Sequence, residues 1–206
     1  MKIIYLYVLK EMAEWEIGYI LQGISMEAQL KGGKKEFEVK TIGFKNEPVR
    51  TIGGLTIIPD YSIEELEEAN IGALLLPGST TWNVEENQAI LKKAVQLLEK
   101  NVVVGAICGA TLALADLGVL NNYKHTSNSL EYLKYLSKEY TGESLYNQAN
   151  AIEDKGLITA SSAGGLDWAR DILSTIQVYK PEIINSWYNY YLTGNPEFYS
   201  ELLDQC

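Results

Sequence analysis

Three stretches, KIIYLYVL (2–9), GALLL (72–76) and VVVGAI (102–107), are apolar at nearly every position, and each is followed by a segment with helical periodicity. A strand with one wet face alternates apolar and polar residues, so strands like these must be covered on both sides. Helices between them supply the two covers. The expected fold is therefore α/β, a three-layer sandwich around a mostly parallel sheet. At 206 residues the chain is long enough for one sizeable core, which predicts a single domain over 1–206.

The intervening segments fill in the pattern. A helix is expected over about Trp15–Lys31, ended by Gly32 and Gly33. FEVKTIGF (37–44) reads as a strand, and VRTIGGLTIIPD (49–60) as two short β pieces around Gly53 and Gly54. SIEELEEAN (62–70) predicts a helix opened by Ser62, and ENQAILKKAVQLLEK (86–100) an amphipathic one. After Cys108, GATLALADLGVL predicts a small-residue helix stopped near Gly118. SLEYLKYLSKEY (129–140) predicts a further helix, GLITA (156–160) a strand, and GGLDWARDILSTIQVYK (164–180) a helix entered through two glycines. The aromatic-rich tail, 181–206, reads as a helical C-terminal extension.

Charge narrows the partners. Seventeen Lys and Arg against 27 Asp and Glu give a net charge of −10, which disfavours nucleic acid or an anionic membrane surface. The N-terminal run meets acidic residues within ten positions, so no signal peptide or spanning helix is expected. Cys108 and Cys206 are poor material for a disulfide framework and suit a reducing compartment. The expected location is the cytoplasm.

In open α/β sheets, reactive groups collect where strand C-terminal ends meet helix N-termini. KEMAEWE, PGSTTW and CGAT all fall at such ends. In VVVGAICGATLALADLG, Cys108 sits between small residues on a strand-to-helix turn, which resembles a nucleophile elbow without its strict spacing. The N–H groups and dipole of the following helix are expected to favour thiolate. The same residues also suit a buried cysteine in a close-packed core, and the local pattern leaves both readings open. Glu14 and Glu16 can serve simply to complement a helix dipole. His125 is the sole histidine, and a Cys–His pair would need it.

Taken together, AEWE, ALLLPGS, VGAICGATLALADLGVL, KHTSN and GLITASSAGGLDWARDIL resemble the ThiJ/PfpI family, the intracellular-protease-like branch of the class I glutamine amidotransferase-like superfamily. The resemblance covers about residues 1–180. It implies a flavodoxin-like sandwich, a reactive cysteine at Cys108 and a partner carboxylate at Glu16 rather than Glu14. It also implies oxyanion or substrate-binding donors at Gly109 and the Gly78–Ser79 turn, with Ser79 where the family usually has a second glycine. The third catalytic position falls on Asn128, which cannot act as a base, with His125 three residues earlier. The late ITASSAGGLDW segment has no histidine, which disfavours glutaminase activity.

The resemblance thus implies a cysteine-dependent hydrolase acting on a peptide or small-molecule substrate, with Cys108, Glu16 and His125 as catalytic candidates. It calls for no cofactor or metal, and family habit implies a homodimer. Two other readings stand beside it. One is a redox sensor or stress-related binding protein in which Cys108 is oxidised and held by Glu16, motivated by Asn128. The other is a scaffold whose site has decayed and whose aromatic tail mediates association.

Overall fold

A computed structural model describes residues 1–204 of the chain. In chain order the elements are β1 (Lys2–Tyr7), α1 (Gly18–Ser25), α2 (Glu27–Leu30), β2 (Phe37–Gly43), β3 (Val49–Arg50), β4 (Thr56–Ile57) and β5 (Tyr61–Ser62). They continue with β6 (Ile71–Leu76), α3 (Gln88–Glu99), β7 (Val103–Ile107), α4 (Gly109–Asp116), α5 (Leu130–Leu136), β8 (Ala151–Asp154) and β9 (Leu157–Ala160). Three helices close the chain: α6 (Gly165–Thr175), α7 (Pro181–Thr193) and α8 (Pro196–Leu203).

The sheet runs in the order β5-β2-β1-β6-β7-β9-β8, parallel throughout except for β8, which pairs antiparallel with β9. This is the mostly parallel, helix-covered α/β sandwich that the apolar runs demand. Ile4, Leu6, Ala73, Leu74, Leu75, Val104 and Ala106 are buried in its middle. On one side α6 packs against α1, and α7 lies over α6; α3 and α4 pack on β7. Gly105 makes the α6 contact possible, since a Cβ there would stand 2.8 Å from Trp168. Among the described residues no helix is long and apolar enough to cross a membrane.

Several segments depart from their expected form. The helix expected over Trp15–Lys31 is broken into a 3-10 turn (Glu14–Ile17), α1 and α2. At the second break the Ser25 hydroxyl donates to Gln22 O, the carbonyl that Met26 N–H would take in an unbroken helix. SIEELEEAN forms only a 3-10 turn, Ile63–Glu65, under a capping box of Ser62 and Glu65. Tertiary bonds take over from there: Glu67 N–H donates to Tyr5 Oη, and Glu68 pairs with Lys93 and Lys100. The helix expected over 129–140 stops at Leu136, because buried Ser137 is extended. Edge strand β8 carries no alternation in AIED and has no sequence signal.

Among the described residues the tail forms two helices. Tyr179 Oη donates to Gly23 O at 2.6 Å and Trp187 Nε1 to Gln22 Oε1 at 2.6 Å, which fastens this region to α1. Cys206, the last residue of the expected extension, lies outside the described residues.

Candidate active site

Three loops meet at the C-terminal ends of β1, β6 and β7. The first two are laced together: Ala13 N–H donates to Gly78 O at 2.8 Å, and the Ser79 and Thr81 hydroxyls both donate to Lys10 O. The third begins at Cys108, whose φ of 57° and ψ of −121° lie where residues with a side chain are rarely found. That backbone is held from both sides. Cys108 N–H donates to Ala160 O at 3.0 Å, and its carbonyl accepts from the Thr111 N–H and hydroxyl. With the Thr111 hydrogen so used, Ser127 donates to Thr111 Oγ1 at 2.7 Å.

The strained turn is what brings the sulfur to a carboxylate. Glu16 is 2% exposed; its Oε2 accepts from Gly78 N–H at 2.8 Å, while Oε1 has no hydrogen-bond partner. A Cβ on Gly78 would stand 2.5 Å from Glu16 Oε2 and 2.8 Å from Cys108 Cβ, so the glycine fills the seam between the two groups. Glu14 is turned away and pins the β3–β4 hairpin through Gly53 N–H. Of the two carboxylates, the structure brings Glu16 to the thiol.

Burial raises the Glu16 carboxyl above its ordinary range, against the pull of hydrogen bonds from the Gly78 N–H and the Cys108 thiol. Burial and the neighbouring carboxylate likewise push the Cys108 thiol up to about 11, although Asn128 and the Gly109 N–H draw it down. The expectation that the helix N-terminus favours thiolate is thereby reversed: desolvation and a like charge outweigh it. The thiol therefore keeps its proton at neutral pH, because burial and the Glu16 carboxylate both disfavour a thiolate.

Asn128 reaches the sulfur, with Nδ2 3.5 Å from Sγ. Its amide cannot be turned round, since Oδ1 accepts the Ser162 N–H at 2.9 Å. His125 does not take the catalytic place proposed for it. It is fully buried, with Nδ1 2.7 Å from Tyr123 O and Nε2 2.8 Å from Tyr140 Oη. The carbonyl can only accept, so Nδ1 carries the proton and Nε2 accepts from the phenol; burial lowers the imidazole pKa further.

The expected oxyanion donors divide. Gly78 N–H is spent on Glu16, which removes it as a donor. Ser79 N–H has no acceptor among the described residues, and Ser79 is not among the residues with positive φ, so a serine fits there. Gly109 permits the close approach of the Ser79 backbone, because a Cβ on it would stand 2.4 Å from Ser79 O and 3.2 Å from Ser79 N.

These groups open into a cavity of about 570 Å³ that also contains Tyr132, Leu112 and Asp116. A larger groove of about 1340 Å³ runs past Lys31, Arg170 and Lys180 but holds none of the expected site residues, so size does not mark the chemistry here. Asp116 and Tyr132 are additions to the sequence reading. Asp116 was within reach of it, since positions 108, 112 and 116 follow the four-residue helical spacing. Tyr132, one of several tyrosines in SLEYLKYLSKEY, gave no signal.

The model of the DJ-1/PfpI family matches residues 2–175. The chain belongs to the DJ-1/PfpI family. Within and around that family it is 38% identical over 201 residues to a Bacillus subtilis protein named as the uncharacterized protease YoaZ, covering 98% of this chain and 96% of the relative. A ThiJ/PfpI family protein from Bacillus anthracis has a solved structure with a TM-score of 0.94 and 40% identity, covering 99% of this chain and 96% of that one. A DJ-1 superfamily protein from Agrobacterium tumefaciens follows at a TM-score of 0.78 and 26% identity, covering 95% and 100%. The DJ-1/PfpI match spans all three loops of the site.

Proposed function

We propose that this DJ-1/PfpI protein is a cysteine-dependent hydrolase of the protease-like group, cleaving a peptide or a small amide or ester. The observation that carries the reading is the buried Glu16 carboxylate in the cavity that holds the strained Cys108, with no donor on Oε1 besides the neighbouring thiol. A carboxylate so placed is the group required to take a proton from a thiol.

In the reaction the Cys108 proton passes to Glu16 as sulfur attacks the substrate carbonyl carbon. Ser79 N–H, with Gly109 N–H beside it, receives the developing oxyanion. The intermediate collapses, the leaving amine or alcohol takes the proton from Glu16, and an acyl-thioester remains on Cys108. Water then attacks that thioester with Glu16 as base, and the acid product departs as the thiol regains its proton. Asn128 holds the sulfur in place through Nδ2 and takes no proton.

Hydrolysis of fluorogenic peptides and activated esters by purified protein tests the reading. Cys108→Ala is expected to abolish turnover, and Glu16→Gln to lower it by about 10²–10⁴-fold, the usual contribution of a positioned base. Turnover that survives in Cys108→Ala overturns it.

A further inference from the structure

The walls of the Cys108 cavity carry a one-sided charge. Its lining includes no Lys, Arg or His; the charged side chains are Glu16 and Asp116. Asp116 makes no ion pair or side-chain hydrogen bond among the described residues, and it ends α4, where the helix dipole already places negative charge. A carboxylate there is unfavourable for the helix alone. Deeper in the same cavity stands the buried, unpartnered Glu16 Oε1.

The uncharged part of the lining mixes polar side chains, Thr80, Asn83, Gln88 and Ser162 among them, with exposed apolar ones. Trp15, Ile52 and Leu136 are 57%, 48% and 48% exposed, and Leu117 joins them beside Asp116. Two turns of α4 separate Cys108 from Asp116, a rise of roughly 12 Å. That distance is within reach of an extended acyl group carrying a lysine- or arginine-length side chain. The Tyr132 phenol, which lies in the same cavity, is raised first by burial and then by Cys108, Asp116 and Glu16, so the Asp116 field reaches the space beside the thiol.

We propose that Asp116 is a specificity-determining residue, and that the cavity selects acyl groups with a basic side chain. The apolar stem lies along Leu112, Leu117 and Leu136, and the cationic tip meets Asp116. This rests on the reading of the cavity as the substrate site, but it is tested without turnover.

The test uses full-length protein carrying Cys206→Ser and three alkyl methanethiosulfonates: aminohexyl, hexyl and carboxypentyl. In each, the Cys108 thiolate attacks the sulfenyl sulfur, a disulfide forms, and methanesulfinate leaves with the electrons of the broken S–S bond. Rates are normalised to those with 2-mercaptoethanol. The aminohexyl reagent is expected to react about fivefold faster than hexyl, and the carboxypentyl reagent slower, with the spread shrinking as salt is added. Asp116→Asn should bring the cation-to-neutral ratio toward one, and Asp116→Lys should invert it.

A carboxypentyl rate equal to or above the aminohexyl rate, or a ratio unmoved by both Asp116 variants, overturns the proposal. If the order holds while no ester or peptide is hydrolysed, the hydrolase reading fails and the charge selection stands.

Discussion

Among the described residues two glutamates are buried, and they are buried differently. Glu27, fully inaccessible, spends both oxygens: Oε1 meets Lys31 Nζ at 2.9 Å and Oε2 accepts the Phe37 N–H at 3.0 Å. Glu16 spends one oxygen on Gly78 and leaves the other facing the space around Cys108. Both side chains have lost their water. Only Glu27 is compensated in full, so it ties α2 to β2 as a structural pin, whereas Glu16 retains a capacity that folding does not use.

The largest expected effect separates the two by stability. Glu27→Ala leaves a buried N–H without an acceptor and Lys31 without its buried partner, and should cost about 3 kcal/mol in urea unfolding. Glu16→Gln keeps an acceptor for Gly78 and should change stability by less than about 1 kcal/mol. Equal losses would erase the distinction between the two residues.

A smaller effect lies in the alkaline limb. The folded thiol titrates near 11, above its unfolded value, so its contribution to stability is complete below about pH 9 and is lost as pH rises toward 11. After discounting for solvent screening at a half-buried site, the loss is about 1 kcal/mol. Unfolding curves of wild type and Cys108→Ala should therefore converge or cross over that window, since the raised tyrosines, Tyr7 and Tyr179 among them, slope equally in both. A constant gap between the curves would contradict the shift.

The smallest effect sharpens the neighbours of the sulfur. Glu16→Gln removes a charge that raises the thiol, and Asn128→Ala removes a donor that lowers it. The pH midpoint of Cys108 alkylation by iodoacetamide should fall in the first variant and rise in the second, each by a few tenths to about one pH unit. Shifts in the same direction would show that the two side chains do not act oppositely on the sulfur.

The sheet was legible because β1, β6 and β7 are apolar on both faces, a pattern that has few solutions. The site was legible as far as its chemistry follows strand ends: Cys108, Glu16 and Ser79 all sit where a parallel sheet gathers its loops. What stayed hidden depended on contacts between distant segments. Nothing in KHTSN tells that His125 faces Tyr123 and Tyr140, because the turn that points it there is set by long-range packing. The charges around Cys108 were hidden in the same way, since a helix N-terminus is visible in sequence and the desolvation that outweighs it is not. Helix lengths erred where hydroxyls and carboxylates offered the backbone another partner, as Ser25 and Glu65 do.

The seam formed by Gly78 and Gly109 has a consequence for how the site tolerates change. Its dimensions are set by two missing methyl groups, one between Glu16 and Cys108 and one against the Ser79 backbone. Variation at Ser79 would cost the hydroxyl bond to Lys10 O that laces two loops together, but it would leave the free main-chain N–H in place. A single carbon added at 78 or 109 instead displaces Glu16, Cys108 or the Ser79 backbone, so the least chemically endowed positions in the cavity are the least replaceable.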